Sequence, residues 1–477
     1  MIKAATFKGQ HVAVFGLGRT GVTAAKSLAA GGAIVLAWDD REEARQDAAK
    51  EGVSLADLSQ CNWSEISALV LSPGVPHILP EPHWTANMAN AANVPIICDI
   101  EIFAREVNAR AKDSRPKIIA ITGTNGKSTT TALIGHTLSA CDRAAQIGGN
   151  IGRGVLDLDD MHAGMTYVIE LSSYQLERAP SLKADVAVFL NLSPDHLDRH
   201  GDLKGYQAAK RNIFNNQIPS DTAIIGVDDK EGQKLCTAMK AKNNRRVVPI
   251  SGRKSLGRGV CAIKGKLYCA VDRKVTEIAD LTQAQALEGS HNWQNAAAAY
   301  AAVKAIGVTP AKIGPGILSF GGLAHRMETI GVVGPVRYVN DSKATNADAA
   351  RQALAAYKNI YWIAGGKAKE GGIEPLSDLF PNITRCYLIG DSADDFAKTL
   401  SQHKVSHKIS GDLQAAILCA TKDALASRGE SPIILLSPAC ASFDQFLNFE
   451  VRGDAFRATA GEIIALFENE KKKGAAA

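Results

Sequence analysis

Short apolar runs rich in β-branched residues alternate with longer helix-like stretches through most of the 477-residue chain. That alternation predicts parallel sheets covered by helices, an α/β fold. The runs fall into three series. "HVAVFG", "AIVLAWD", "ALVLSP" and "PIICDI" read as the strands of the first, which ends in the polar stretch "NARAKDSRP" at 108–116, a linker by composition. The second begins at "KIIAIT" and continues through "YVIELSS", "VAVFLNL" and "TAIIGVD", with no clear period over 230–290. It closes near "FGGLAHR", where Gly321 and Gly322 suit a hinge. "VRYVNDS", "IYWIAGG", "CYLIG" and "PIILLSP" are the strands of the third. Three domains are therefore expected, at 1–110, 111–323 and 324–477, with no short tandem repeat among them.

Composition narrows the class. With 46% hydrophobic and 22% charged residues the chain is globular, and a net charge of +5 over this length gives no reason to expect nucleic acid. Nine cysteines stand singly without a CxxC pair, which fits reduced, mostly buried thiols in a cytoplasmic protein. "MIKAATFKGQ" lacks the charged start and apolar run of a signal peptide, and no apolar run approaches the roughly 18 residues of a membrane span. The terminal "KKKGAAA" reads as a frayed tail.

Two glycine loops carry candidate chemistry. In "HVAVFGLGRTG" a strand leads into Gly16, Gly18 and Gly21 in G-x-G-x-x-G spacing, and Asp39 ends the next strand. Glycine there lets the backbone approach a diphosphate at a helix's positive end, although the same glycines could serve strand–helix packing alone. The motif does not distinguish NAD from another nucleoside diphosphate. The second loop, "TGTNGKSTT", looks like a phosphate cradle with two residues missing. The common G-x-x-x-x-G-K-[ST] spacing needs a glycine where Ile121 stands, and the first glycine is Gly123. Lys127 still supplies a cation, and Ser128 a hydroxyl where magnesium is usually met.

A bridging metal needs ligands at neighbouring strand ends. Glu170 closes "YVIE", and "NLSPDHLDRH" offers Asp195, His196, Asp198 and His200, with helix capping as the alternative for Asp195. Lys210 in "YQAAKRNIF", judged alone, is a solvated lysine.

Taken together, "GTNGKSTT", "ELSSYQLE", "NLSPDHLDRH", "YQAAKRNIF", "GSHNWQNAAAA", "AHRME", "VNDSKATN" and "LSPACASFDQF" resemble, in order, the motifs of the Mur ligases of bacterial cell-wall synthesis. The resemblance covers nearly the whole chain. It implies a Rossmann-like amino-terminal domain binding a UDP-linked sugar peptide, a central P-loop ATPase-like domain, and a Rossmann-like carboxyl-terminal domain taking the amino acid. The implied reaction joins D-glutamate to UDP-N-acetylmuramoyl-L-alanine with ATP as co-substrate and Mg2+, in a monomer.

By matching strings, the resemblance places Gly123, Thr124, Asn125, Gly126, Lys127, Ser128 and Thr129 around the ATP phosphates, and Asn292 and Asn295 on the adenine side. It places Arg326 and Asp341 on phosphate and ribose, and magnesium on Ser128, Glu170, His196 and a carbamylated Lys210. His325, Lys343, Thr345, Lys369, Ser442, Phe443 and Phe449 fall near the glutamate and the reacting phosphate. In the first domain Gly18, Arg19, Thr20, Asp39, Asp40, Arg41, Ser72 and Gly74 would meet UDP, with Asn150 and Gln175 at the muramoyl portion. Phe443, Arg19 and Asp40 depart from the side chains familiar in the family at those positions.

These residues suit carboxylate activation. A carboxylate resists amine attack until ATP converts it to an acyl phosphate, and clustered cations neutralise the charge of both that transfer and the later oxyanion. Hinged closure would bring Lys343 and Arg326 onto the phosphates and exclude water. A nicotinamide-dependent oxidoreductase, suggested by "GLGRTG" and Asp39, leaves the central loop unused; a nucleotide-switched binding module leaves Lys343 and Arg326 unused. A folate-glutamate ligase would not need the first nucleotide fold, and a diaminopimelate-adding ligase would carry "DNPR" where "NDSKATN" stands. An L-glutamate-adding variant stays open.

Overall fold

The computed structural model describes residues 1–271, 274–368, 371–427 and 431–475. Among them the strands form three sheets, and the chain divides into two compact units, 1–320 and 321–477.

The first sheet contains β1 (His11–Phe15), β2 (Ile34–Trp38), β3 (Ile66–Leu71) and β4 (Ile96–Ile97), all parallel in the order β2-β1-β3-β4. The second contains β5 (Lys117–Thr122), β6 (Ala145–Gly149), β7 (Thr166–Glu170), β8 (Val186–Phe189), β9 (Thr222–Gly226), β10 (Arg246–Ser251), β11 (Val260–Ile263), β12 (Lys266–Cys269) and β13 (Thr276–Asp280). Its order is β13-β12-β11-β10-β9-β8-β5-β7-β6, so β5 sits between β8 and β7. The chain leaves β5 toward one edge and returns for β8 on the other side. Such a switch point opens a crevice at the strand ends, where ligands bind.

The third sheet, in 321–477, contains β14 (Glu328–Val333), β15 (Val336–Asn340), β16 (Ile360–Gly365), β17 (Ile383–Ile389), β18 (His407–Gly411) and β19 (Ile433–Leu436), in the order β14-β15-β19-β16-β17-β18.

Sheets one and two share one continuous core. The helix Asp99–Ala109 joins them because its apolar residues cover most of its circumference: Ile100, Ile102, Phe103, Ala104 and Val107 are all buried, and Phe103 meets Tyr167 edge-on at 5.2 Å. Burying one such phenylalanine stabilises by about 2–3 kcal/mol. Glu101, fully buried on the same helix, accepts from the Ser181 amide and hydroxyl at 2.8 and 2.7 Å.

Some expectations change. The sheets are not wholly parallel: β11, β12 and β13 pair antiparallel, as do β14 and β15. Part of the expected linker is helical, since one helix runs through Ala109 and a short turn covers Lys112–Ser114. The helix Phe449–Ala475 takes in most of the stretch expected to fray; residues 476–477 lie outside the described residues.

Candidate active site

The helix Lys127–Ala140 starts abruptly because Gly126 holds a left-handed φ of 83°. A Cβ at Gly126 would come within 2.6 Å of Asn295 Oδ1, so sterics and conformation both demand glycine. Asn191 ties down the preceding residues. Its carbonyl accepts from Thr124 N–H at 3.1 Å, and its side chain accepts from Asn125 N–H at 2.9 Å and donates back to Asn125 O at 3.0 Å. Two of the loop's donors are therefore occupied, and the cradle begins at the helix end, whose first N–H groups lack intrahelical acceptors. Lys127 Nζ lies 3.0 and 2.7 Å from the carbonyls of Gly123 and Thr124.

Strand register sets the flanking groups. Ile121 on β5 pairs with Glu170 on β7, and Thr122 with Phe189 on β8, so Glu170 and the residues after β8 emerge beside the loop. Glu170 is 2% exposed; its Oε1 accepts from Asn150 Nδ2 at 3.0 Å while its Oε2 has no hydrogen-bond partner. A buried carboxylate oxygen without a donor is costly, and a hard cation is what it suits. Ser128 follows Lys127 in the same helix turn. Burial lowers the pKa of His196 despite Asp195 beside it, which favours a neutral, ligating imidazole.

Lys210 reverses its solvated reading. At 1% exposure it donates to Gly123 O at 2.8 Å from the helix Leu203–Arg211, with Nζ 4.5 Å from the Tyr206 ring centroid. Burial, reinforced by Lys127, brings its pKa down to about 6, so much of it is a neutral amine at pH 7.

The wider His/Asp cluster does not converge. His200 is committed to Glu177 and Ser173 at 3.1 and 2.9 Å, and among the described residues no three His, Cys, Asp or Glu side chains form a metal-holding group. The capping alternative for Asp195 is not realised, because His196 occupies the N-cap of Leu197–His200 without a side-chain bond.

Asn295 is buried beneath the loop, where its Oδ1 accepts from Thr130 Oγ1 at 3.1 Å and its Nδ2 donates to Asn292 Oδ1 at 3.1 Å. Gln175 is likewise engaged, capping the helix Ser173–Glu177 through Ser172. Thr129 is buried in the first turn of the loop's helix.

In the first sheet, Gly16 and Gly21 serve packing: a Cβ at Gly21 would lie 1.9 Å from Gly16 O, and Ser72 Oγ donates to that same carbonyl at 2.7 Å. Gly18 faces open space. Both Asp39 oxygens are used, accepting from Leu17 N–H at 2.7 Å and Arg41 N–H at 2.9 Å. Asp40 meets His83 and Trp84 at 2.9 and 3.2 Å, and the Arg41 side chain is mostly exposed. Arg19 and Thr20 begin the helix Arg19–Ala30, and Gly74 lies on the turn after β3.

Within 321–477, His325, Lys343 and Phe449 meet. Lys343 Nζ sits 4.2 Å from the Phe449 ring centroid, its N–H donates to His325 O at 3.0 Å, and His325 approaches Phe449 edge-on at 6.3 Å. Burial lowers the His325 pKa. Asp341 accepts from Ser437 Oγ at 2.7 Å and Met327 N–H at 3.2 Å; burial raises its pKa to about 7 against the pull of Ser437 and Arg326. Thr345 N–H donates to Lys343 O at 2.9 Å, Ser442 is buried, and the Phe443 side chain is 71% exposed. Lys369 lies outside the described residues.

Sequence reasoning missed Asn191 and three arginines. Arg178 and Arg199 donate to backbone carbonyls of 71–75, and Arg452, 1% exposed, donates to the carbonyls of Ser342 and Cys440 at 2.9 and 3.0 Å. Asn191, Arg178 and Arg199 lie inside or beside quoted strings, and arginine among apolar residues, as in "LERAPSL", was the available signal.

The three sheets and this loop define an α/β enzyme of the Mur ligase type. Residues 121–303 match the Mur ligase middle domain and residues 325–440 the Mur ligase glutamate ligase domain. A "UDP-N-acetylmuramoylalanine--D-glutamate ligase" of Caulobacter sp. (strain K31) is 59% identical over 96% of this chain and 97% of its own length. One of the same name from Rhizobium etli is 49% identical over 96% of each. Among solved structures, the UDP-N-acetylmuramate-alanine ligase MurC of Thermotoga maritima aligns with a TM-score of 0.57 at 16% identity, covering 95% of this chain and 99% of that one. The chain belongs to the Mur ligase family, in the branch of these D-glutamate ligases. No helix among the described residues is long and apolar enough to cross a membrane.

Proposed function

We propose that this enzyme joins D-glutamate to UDP-N-acetylmuramoyl-L-alanine in the cytoplasm as a monomer, consuming ATP through an acyl phosphate and supplying peptidoglycan precursor. The observation that carries the reading is the gathering of Lys127, Lys210, His196 and the unpartnered Glu170 oxygen at one phosphate-loop helix. The near-complete likeness to D-glutamate ligases supports the choice of substrates.

Residues 1–110 serve as the Rossmann-like sugar-nucleotide domain, 111–323 as the P-loop ATPase-like domain and 324–477 as the Rossmann-like amino-acid domain. Gly18, Arg19, Thr20, Arg41, Ser72 and Gly74 approach UDP, while Asp39 and Asp40 hold the surrounding loops. Gln175 orders the muramoyl end, with Asn150 at its edge. Helix-end N–H groups and Lys127 orient the γ-phosphoryl group toward the acceptor carboxylate. Asn292 and Asn295 support the adenine side. Ser128, Glu170, His196 and Lys210 as its carbamate would hold magnesium, which supplies charge neutralisation at the phosphate oxygens. The carbamate forms when the neutral Lys210 amine attacks carbon dioxide and releases a proton. His325, Arg326, Asp341, Lys343, Thr345, Lys369, Ser442, Phe443 and Phe449 form the glutamate and transfer region, where Lys343 and Arg326 offset the developing negative charge.

The test offers D- and L-glutamate separately to the enzyme with UDP-N-acetylmuramoyl-L-alanine, ATP and magnesium, and follows ADP release. Release with D-glutamate alone is expected. Release with L-glutamate only would reassign the substrate, and none with either would remove the reading. Intact-mass measurement in bicarbonate, with and without acid treatment, checks the Lys210 carbamate.

A further inference from the structure

Residues 71–75 carry Ser72 and Gly74, and two arginines from the central sheet's site elements grip their backbone. Arg178, 2% exposed, follows the helix Ser173–Glu177; its Nη1 donates to Leu71 O at 3.0 Å and Ser72 O at 3.3 Å, and its Nε donates to Tyr174 O at 3.2 Å. Arg199, in the turn Leu197–His200, donates from Nη1 to Gly74 O at 3.0 Å and from Nη2 to Val75 O at 3.3 Å.

The two grips are fastened to each other. The Arg199 guanidinium lies 4.6 Å from the Tyr174 ring centroid, and His200 stacks on the same ring at 5.4 Å and 15°. His200 in turn bonds Ser173 and Glu177. One string runs from Glu170 to Arg178, and His196 stands three residues before Arg199. The segment carrying Glu170 and His196 is therefore linked to 71–75 by hydrogen bonds and ring contacts.

Burying the Arg178 guanidinium is costly, and its Nη2 has no hydrogen-bond partner. Asp99 nearby is 3% exposed and also without a hydrogen-bond partner; with Thr20, Gly21 and Ser72 it lines a cavity of about 10 Å³, room for one water. A turn on a protein surface needs no such machinery, because water satisfies its carbonyls.

We propose that Arg178 and Arg199 are positioning residues coupling the sugar-nucleotide segment 71–75 to the triphosphate site, so that each ligand raises the other's affinity. The inference rests on the function proposed above. Coupling of this kind is reciprocal and typically worth fivefold or more, roughly.

Calorimetry on the full chain tests it, titrating UDP-N-acetylmuramoyl-L-alanine with and without a saturating non-hydrolysable ATP analogue and magnesium. The wild type should bind the sugar nucleotide at least about fivefold more tightly with the analogue present. Arg199→Met, at a partly exposed site, should bring that ratio close to one while leaving the affinity for the analogue alone within about twofold. Arg178→Lys should weaken the ratio, since one ammonium on a shorter stem does not reproduce the guanidinium fork. Unchanged ratios in both variants, or a wild-type ratio of one, overturn the proposal and leave the function standing. Failure of the wild type to bind the sugar nucleotide at all removes both.

Discussion

The two glycine loops of residues 1–320 share a plan, strand then glycines then helix, and differ in what is left unsatisfied. In the first loop Gly21 makes room for backbone and Gly16 for the Ser72 side chain, Ser72 binds the loop carbonyl, and both Asp39 oxygens accept N–H groups of neighbouring turns. In the second, Glu170 keeps a buried oxygen without a donor, and Lys210 is held in a site that drives off its proton. Glycine spacing thus reports where backbone can approach a ligand. Polar atoms left unpaired or displaced from their ordinary protonation mark where chemistry can be done; at the second loop they belong to the loop's own flanking groups, whereas under the first the unpaired carboxyl is Asp99, on the helix that joins the sheets.

The contrast can be tested most severely at Lys127. Lys127→Ala should lower the rate of ADP release roughly 10²–10³-fold with little change in melting temperature. Retention of the full rate would mean the second loop is as self-contained as the first. Glu170→Gln should weaken apparent magnesium affinity about 10²-fold or somewhat less, read from the metal dependence of turnover.

Asp99 gives a pH signature under the first loop. Burial raises its pKa to about 6 from 3.8, while the Arg178 charge and a Gln175 amide outside hydrogen-bond geometry pull the other way; Cys98 is the adjoining titratable group. A raised carboxyl pKa means the folded state binds the proton more tightly than the unfolded chain. Its contribution is therefore favourable below about pH 4 and is lost as pH rises toward 6. Asp99→Asn should flatten the stability profile across that window by at most about 3 kcal/mol, measured by denaturation at each pH.

Asp39→Ala should cost about 2 kcal/mol, because two N–H groups lose a charged acceptor. The smallest structural effect belongs to Gly18→Ala. A Cβ there meets nothing within 4 Å, so stability should stay within about 0.5 kcal/mol while the KM for the sugar nucleotide rises. An unchanged KM would remove the first loop from the diphosphate.

Much of the fold was legible because buried parallel strands are nearly continuous apolar runs. "KIIAIT" became β5 with its boundaries unchanged, and "PIILLSP" became β19 shortened to Ile433–Leu436. The stretch 230–290 resisted for the opposite reason: β13 reads exposed at Thr276 and Glu277, and its antiparallel partner β12 is only four residues long. At the candidate site, the loop residues stood out because their types are chemically specific. Lys210 stood out only through the resemblance and read as solvated on its own, since its burial depends on packing against Tyr206 and Gly123 O, partners four and 87 positions away. Arg178 and Arg199 escaped likewise, because a contact to backbone carbonyls leaves no pattern in the residues contacted.

The core that runs unbroken from the first sheet into the second has an engineering consequence. Exchanging residues 1–110 for the nucleotide-binding segment of another protein would sever the Phe103–Tyr167 packing and strip Ser181 of the Glu101 carboxylate. If Ser72 and Gly74 meet the sugar nucleotide as proposed, substrate range is better altered by substitutions along the 71–75 turn than by trading whole segments, since any graft must bring its own half of a shared interior.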